Sequence, residues 1–299
     1  MNQSLKIILF GNERLSSGYK PNGAPLLQSL IDHGYKVVAV VASHHQATTR
    51  SERQLEVQTV AEQNNIPVLL PEKPADIIDD IKALGADIGV LAAYGKLIPQ
   101  SVIEAFPHGI INIHPSLLPQ YRGSTPIEQA ILDGQKQTGV SLMQLVKAMD
   151  AGPVYDQQTV TLTGHETKQE LTENLVRLGS EMLVKDLPAI IDGSLKPRPQ
   201  DESQVTFSKL ISKEQGMIDQ SLPANILERQ VRAYATWPKS RAQIFGQQVV
   251  VTKARVASSA GDGALVLPCA NDSFLEVQQL IAPSGRSVNG ADFLRGYKK

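Results

Sequence analysis

The chain has 299 residues, 41% of them hydrophobic, with 29 basic and 30 acidic side chains and a formal net charge of −1. That length and apolar content suit two buried cores better than one, and the balanced charge excludes a broadly basic nucleic-acid-coating protein while leaving room for a local basic patch. One cysteine, Cys269, excludes a disulfide framework and suits a reducing compartment; the apolar run at Ile7 to Phe10 is too short for a secretory leader and no run approaches a membrane span, so the cytoplasm is expected.

From the N-terminus, short apolar runs at Lys6 to Phe10, Lys36 to Ala42, Pro67 to Leu70, Asp87 to Ala92 and Gly109 to His114 alternate with longer amphipathic stretches. This is the pattern of repeated β–α units, and it predicts an α/β domain: a Rossmann-like, mostly parallel sheet with helices on both faces. The loop from Gly11 to Gly18 lacks the G-x-G-x-x-G spacing that cradles a pyrophosphate, which disfavours a dinucleotide site. His44 and His45 are adjacent and would point apart on any regular element, so they read as polar loop residues and not as metal ligands. Thr167 to Ile191 has helical apolar spacing at Leu171, Leu175, Leu178, Met182, Leu183, Leu187 and Ile190, with Asp192-Gly193 as its stop.

The polar, proline-bearing stretch 194–204 then reads as a linker, giving a first domain over 1–193 and a second domain over 205–299. Within the second, a helix is predicted over Pro223 to Tyr234. Arg241 to Phe245 and Gln248 to Val256 are expected to form a hairpin about Gly246-Gln247, with further strands at Val266-Leu267 and Phe274 to Val277. Short strands with one helix suggest a small β-barrel of the OB type.

Chemistry concentrates in the segment IINIHPSLLPQYRGSTP, residues 110–126. Asn112 and His114 are two apart on a strand, so their side chains leave the same face and can meet one substrate atom. An amide and an imidazole at a strand end can serve an oxyanion and move a proton; equally, polar residues there often only bond neighbouring backbone. Pro115, Pro119 and Pro126 restrict the following loop, while Gly123 permits unusual dihedrals. Asp150 follows the apolar segment Val140 to Val146, so a returning strand could bring it to the pair; the alternative is that it caps the turn at Ala151-Gly152-Pro153.

The Asn112-x-His114 pair, the Ser116-Leu117-Leu118-Pro119 loop and Asp150 within Ala148 to Pro153 are joined by Ala93-Tyr94-Gly95 and Thr138-Gly139-Val140. On these residues the chain resembles the folate-dependent formyltransferases. Val205-Thr206-Phe207, Leu210 to Glu214, Ile218-Asp219, Val231 to Tyr234 and Trp237-Pro238 are similar to the second domain of methionyl-tRNA formyltransferases, which the formyltransferases acting on glycinamide ribonucleotide normally lack.

The resemblance implies a metal-free transfer of the formyl group of 10-formyltetrahydrofolate to the α-amino group of initiator methionyl-tRNA, through a tetrahedral intermediate and by a monomer. It implies catalytic roles for Asn112, His114 and Asp150, and a folate site at Ala93, Tyr94, Gly95, Ile98, Ser116, Leu117, Leu118 and Pro119. Expected tRNA contacts are Arg50, Arg53, Lys209 and Arg232. Arg122 reads as support for the loop. Two stretches depart from the family: Ser43 to Arg53 carries two arginines, one glutamate and no glycine, and the loop Asn12 to Ala24 is longer than usual. An amino-sugar or glycinamide ribonucleotide acceptor, a formate-releasing hydrolase, and a non-catalytic folate- or RNA-binding homologue stay open as alternatives.

Overall fold

A computed structural model describes residues 5–11, 23–43, 55–259, 261 and 263–297. Arg50, Arg53 and nearly all of the loop 12–24 lie outside these residues. Two compact units form, the first from Met1–Pro126, Gln137–Val160 and Thr172–Ser208, the second from Ile127–Lys136, Thr161–Leu171 and Lys209–Lys299.

In the first unit, strands β1 (Lys6–Gly11), β2 (Lys36–Val41), β3 (Val68–Leu69), β4 (Ile88–Ala92) and β5 (Ile110–His114) alternate with helices α1 (Pro25–Asp32), α2 (Glu56–Gln63), α3 (Ile78–Leu84) and α4 (Gln100–Ile103). Each strand grew from one of the predicted apolar runs. β1 is buried along nearly its whole length, as expected of a strand covered on both faces. Along the chain after β5 come β6 (Arg122–Gly123), α5 (Pro126–Leu132), β7 (Gln137–Gln144), β8 (Val154–Thr161), α6 (Lys168–Ile191) and β9 (Phe207–Ser208), of which nearly all of α5 and the first turn of α6 belong to the second unit.

The main sheet has the order β3-β2-β1-β4-β5-β7-β8. Pairing is parallel from β3 through to β5, while β7 runs antiparallel to β5 with Asn112 opposite Met143 and His114 opposite Ser141. The mostly parallel sheet expected from the sequence is therefore present. The chain winds outward from β1 to β3 and returns on the other side at β4, which makes the carboxyl ends of β1 and β4 the switch point where such sheets take ligands. One face of the sheet packs a core around Phe10, whose ring meets those of Tyr94 and Phe106 edge-on. In α6 the predicted residues Leu171, Leu175, Met182, Leu183, Leu187 and Ile190 are buried, and Leu178 is half-buried.

The second unit contains α7 (Ala224–Ala233), β10 (Ser240–Ile244), β11 (Gln247–Ala257), β12 (Val266–Cys269), β13 (Ser273–Ile281), β14 (Ser287–Asn289) and α8 (Gly290–Tyr297). Its antiparallel sheet has the order β10-β11-β13-β12, with β14 also on β13. Register shifts between Val251 and Ala254 interrupt the β11–β13 ladder, and such bulges raise the local twist that curls a sheet into an OB-like half-barrel. α7 packs on this sheet through Leu227 and Val231. The β10–β11 turn falls on Phe245 and Gly246, both at positive φ, one residue earlier than the sequence suggests. α8 and β14, which the sequence reading did not anticipate, close this core with Phe293.

Candidate functional site

Asn112 and His114 leave the same face of β5 and are buried, at 6% and 4% exposure. The His114 Nε2–H donates to the carbonyl of Tyr121 at 3.0 Å. A carbonyl only accepts, so Nε2 carries a proton, and in the neutral ring the lone pair is on Nδ1. Nδ1 lies 3.8 Å from Oδ1 of Asp150, and the Asn112 amide donates to that same oxygen at 3.3 Å. The other carboxylate oxygen accepts the backbone N–H of Gly123 at 2.8 Å. The structure thus brings Asn112, His114 and Asp150 together, with the Asp150 side chain 14% exposed.

The backbone supporting the cluster is unusual. Asp150 and Tyr121 adopt φ values of 46° and 59°, a region non-glycine residues enter at a cost of about 1–3 kcal/mol. After Asp150, Gly152 passes so close to the Gln144 carbonyl that any Cβ would collide with it. That approach lets Gln144 donate its N–H to Pro153 at 2.9 Å and seats the Asp150 turn on the end of β7.

The loop after His114 is bonded to its surroundings at each step. The Ser116 hydroxyl donates to Gln120, and the Ser116 carbonyl accepts the Ser141 hydroxyl, both at 2.6 Å. Leu118 N–H donates to that Ser141 oxygen at 3.0 Å, while the Gln157 amide donates to Ser141 and to the Leu118 carbonyl at 2.8 Å. Ser116 and Leu118 are therefore buried framework, and Leu117 and Pro119 are the half-buried members of the tetrapeptide. The Leu118–Pro119 peptide is cis.

Arg122 is buried at 4% exposure. It donates to Gln200 Oε1 through Nε and Nη2, at 3.0 and 2.8 Å, and to Glu202, at 2.7 and 3.3 Å. The hydrogen bond from Arg122 holds the Glu202 carboxyl below its ordinary value. The polar stretch 194–204 thus does more than connect: it lies against the first unit, and β9 beyond it pairs with β6. Sequence reasoning did not single out Gln200, Ser141 or Gln157, because no periodicity or motif separates them from ordinary polar residues.

At the end of β4, Ala93 (φ 50°) is half-buried and Gly95 (φ 77°) is exposed, so these two are presented to solvent. The side chains of Tyr94 and Ile98, at 1% and 8% exposure, fill the core, so these two have only backbone to present. Burial pushes the Tyr94 hydroxyl pKa up to about 12, and the Tyr94 carbonyl accepts the Ser43 hydroxyl at 3.1 Å. On the sheet face opposite Asn112, an apolar hollow opens among Leu26, Ala92, Ala93, Ile113, Leu175 and Val176.

In the second unit Lys209 is exposed. Arg232 is 13% exposed and donates to both oxygens of Glu228 and to the Glu166 carbonyl, which leaves little of its fork for a phosphate. Among the described residues no group of three or more His, Cys, Asp or Glu side chains is gathered as for a metal ion, and no helix is long and apolar enough to cross a membrane.

Residues 13–187 match the model of the formyl transferase family, and residues 210–298 that of the formyl transferase C-terminal domain. The methionyl-tRNA formyltransferase of Chloroflexus aurantiacus is 38% identical over 286 residues, covering 90% of this chain and 92% of that protein. Among solved structures, the N-formyltransferase of Helicobacter canadensis, complexed with folinic acid and dTDP-3-aminofucose, superposes with a TM-score of 0.69 at 16% identity, over 93% of this chain and 99% of that one. HypX of Aquifex aeolicus in complex with tetrahydrofolic acid gives a TM-score of 0.67 at 17% identity over 99% of this chain, which spans 47% of HypX. The two structures share the fold; the two family models and the identity to the Chloroflexus protein place this chain in the formyl transferase family.

Proposed function

We propose that the protein is a methionyl-tRNA formyltransferase, a cytoplasmic monomer that moves the formyl group of 10-formyltetrahydrofolate onto the α-amino group of initiator methionyl-tRNA. The observation that carries the chemistry is the meeting of Asn112, His114 and Asp150 at the carboxyl end of β5. The likeness to the Chloroflexus protein along both domains supports the acceptor.

Each side chain has a distinct task. Asn112 spends one amide hydrogen on Asp150 and keeps the other for the oxygen that turns negative when the amine adds to the formyl carbon. His114 receives, at Nδ1, the proton shed by the attacking nitrogen, and the imidazolium gives it to the leaving folate nitrogen as the old C–N bond breaks. Asp150 stabilises that imidazolium and orients Asn112. Ala93, Gly95, Leu117 and Pro119 are the members of the expected folate surface with atoms to offer. The tRNA contacts are assigned to Lys209 and, outside the described residues, Arg50 and Arg53.

The test is formyl transfer by the purified full chain with methionyl-tRNA, with a no-tRNA control, with dTDP-3-aminofucose as a competing acceptor, and with His114→Ala. Product that requires both tRNA and His114 supports the reading. Folate turnover without tRNA identifies a hydrolase, and transfer to the sugar alone replaces the acceptor.

A further inference from the structure

Gln200 comes from the polar stretch that the sequence presents as a linker, yet all four hydrogen-bonding positions of its amide are engaged. Its Nε2 donates to the carbonyls of Asp150 and Gly152 at 2.8 and 2.7 Å. Its Oε1 accepts two bonds from the guanidinium of Arg122. The orientation is forced, because a flipped amide would set N–H against guanidinium N–H and oxygen against two carbonyls. Arg122 is itself buried and carries Glu202 on its other side.

These bonds converge on one residue. Asp150 stands at positive φ, and its carboxylate is held by the N–H of Gly123, the residue next to Arg122. Gln200 grips the carbonyl of the same residue. Asp150 is therefore fixed at both ends, by its side chain from Gly123 and Asn112 and by its backbone from Gln200. Released from Gln200, the backbone is free to leave a region that L-residues disfavour, and the carboxylate moves with it.

We infer that Gln200, clamped by Arg122, is a positioning residue that sets the Asp150 carboxylate against His114 and Asn112. This deepens the proposed function and rests on its assignment of Asp150, so the test has one arm that does not depend on activity.

The variants are Gln200→Glu, which keeps the size and the Arg122 partner but turns oxygens toward two carbonyls, and Gln200→Ala. In the activity-independent arm, hydrogen exchange of the Gly123 N–H is followed in the full chain. It is expected to accelerate by about tenfold or more in both variants while core amides of β1 and β4 stay within about twofold. Unchanged protection of Gly123 overturns the inference whatever the protein formylates. In the activity arm, kcat is expected to fall about ten- to hundredfold in Gln200→Glu, with both KM values within about threefold. In an Asp150→Asn background the same substitution is expected to cost less than about twofold, since its effect runs through that carboxylate. Equal loss in both backgrounds, or a change in KM alone, overturns the inference. A wild-type chain silent toward methionyl-tRNA rejects the proposed function and leaves the exchange result to decide the role of Gln200.

Discussion

Buried polar clusters in the two units differ in kind. In the second unit, Glu128 of α5 and Lys168 at the start of α6 form an ion pair with side-chain exposures of 8% and 2%. It is a closed arrangement: the lysine donates directly to the carboxylate and both sit beneath the surface. In the first unit, Asp150 meets Asn112 at 3.3 Å and His114 at 3.8 Å, on backbone at positive φ and with 14% of its side chain exposed. Burial of charge is common to both. What separates them is access: the strand-end cluster keeps an amide hydrogen, an imidazole nitrogen and an opening to solvent, while the ion pair lies shut beneath the surface.

The largest expected effect tests the open cluster directly. His114→Ala and Asn112→Ala are each expected to lower the rate of formyl transfer about a hundredfold or more, because one removes the proton carrier and the other an oxyanion donor. Their melting temperatures are expected to fall far less steeply than their rates, since the bonds to Asp150 are long and only His114→Ala gives up a short one, at 3.0 Å to the Tyr121 carbonyl. A variant that melts early but turns over normally would reverse the comparison.

The converse holds for the closed pair. Lys168→Met strands Glu128 without a counterion and is expected to cost about 3–5 kcal/mol of stability, read as a lower denaturant midpoint. The double change Glu128→Leu with Lys168→Met removes both charges and is expected to recover most of that loss. Tyr234 reports on the same environment, its hydroxyl pKa raised by burial and then by the Glu128 charge. Its ultraviolet titration is expected to shift back toward the ordinary value in Glu128→Gln.

A smaller effect is expected at the seat of the Asp150 turn. Gly152→Ala places a methyl on the Gln144 carbonyl, so the turn must lift from β7. The expected cost is about 1–3 kcal/mol in stability, with a loss of activity beyond what fewer folded molecules explain, because Asp150 moves with the turn. An equal loss of folded fraction and of activity would mean that the turn is scaffold only.

Much of the strand-end cluster was legible in sequence because its members obey local rules. Asn112 and His114 are two apart on a strand, so the period of the strand alone puts them on one face, and the apolar runs announced β1 to β5. What was not legible depends on contacts between distant segments. The β6–β9 pairing joins Arg122 to Phe207 through two residues per strand, too short for any pattern. β8, an edge strand half exposed along its length, has no apolar alternation to betray it. The depth of the Tyr94 and Ile98 side chains in the core is set by neighbours such as Phe10, which no local motif reveals. Gln200 looked like linker because its four bonds all reach residues far away in the chain.

The smallest expected effect concerns the outer end of the same framework. Glu202 is largely exposed yet bonded to Arg122 at 2.7 Å, and that bond lowers its carboxyl pKa. A carboxyl whose folded value lies below its unfolded value binds fewer protons in the folded state across the interval between them, so stability rises with pH through that interval. The contribution is complete above the ordinary carboxylate range and is lost as pH falls through the depressed value. Glu202→Gln is therefore expected to flatten the acid limb of the stability curve slightly, by the same small amount that it lowers stability at neutral pH, since exposed ion pairs contribute little. Denaturant midpoints measured at successive pH values for wild type and variant decide it. Parallel acid limbs would show that Arg122 is held by Gln200 alone, and Arg122 would then resemble the closed pair of the second unit in needing nothing from the surface.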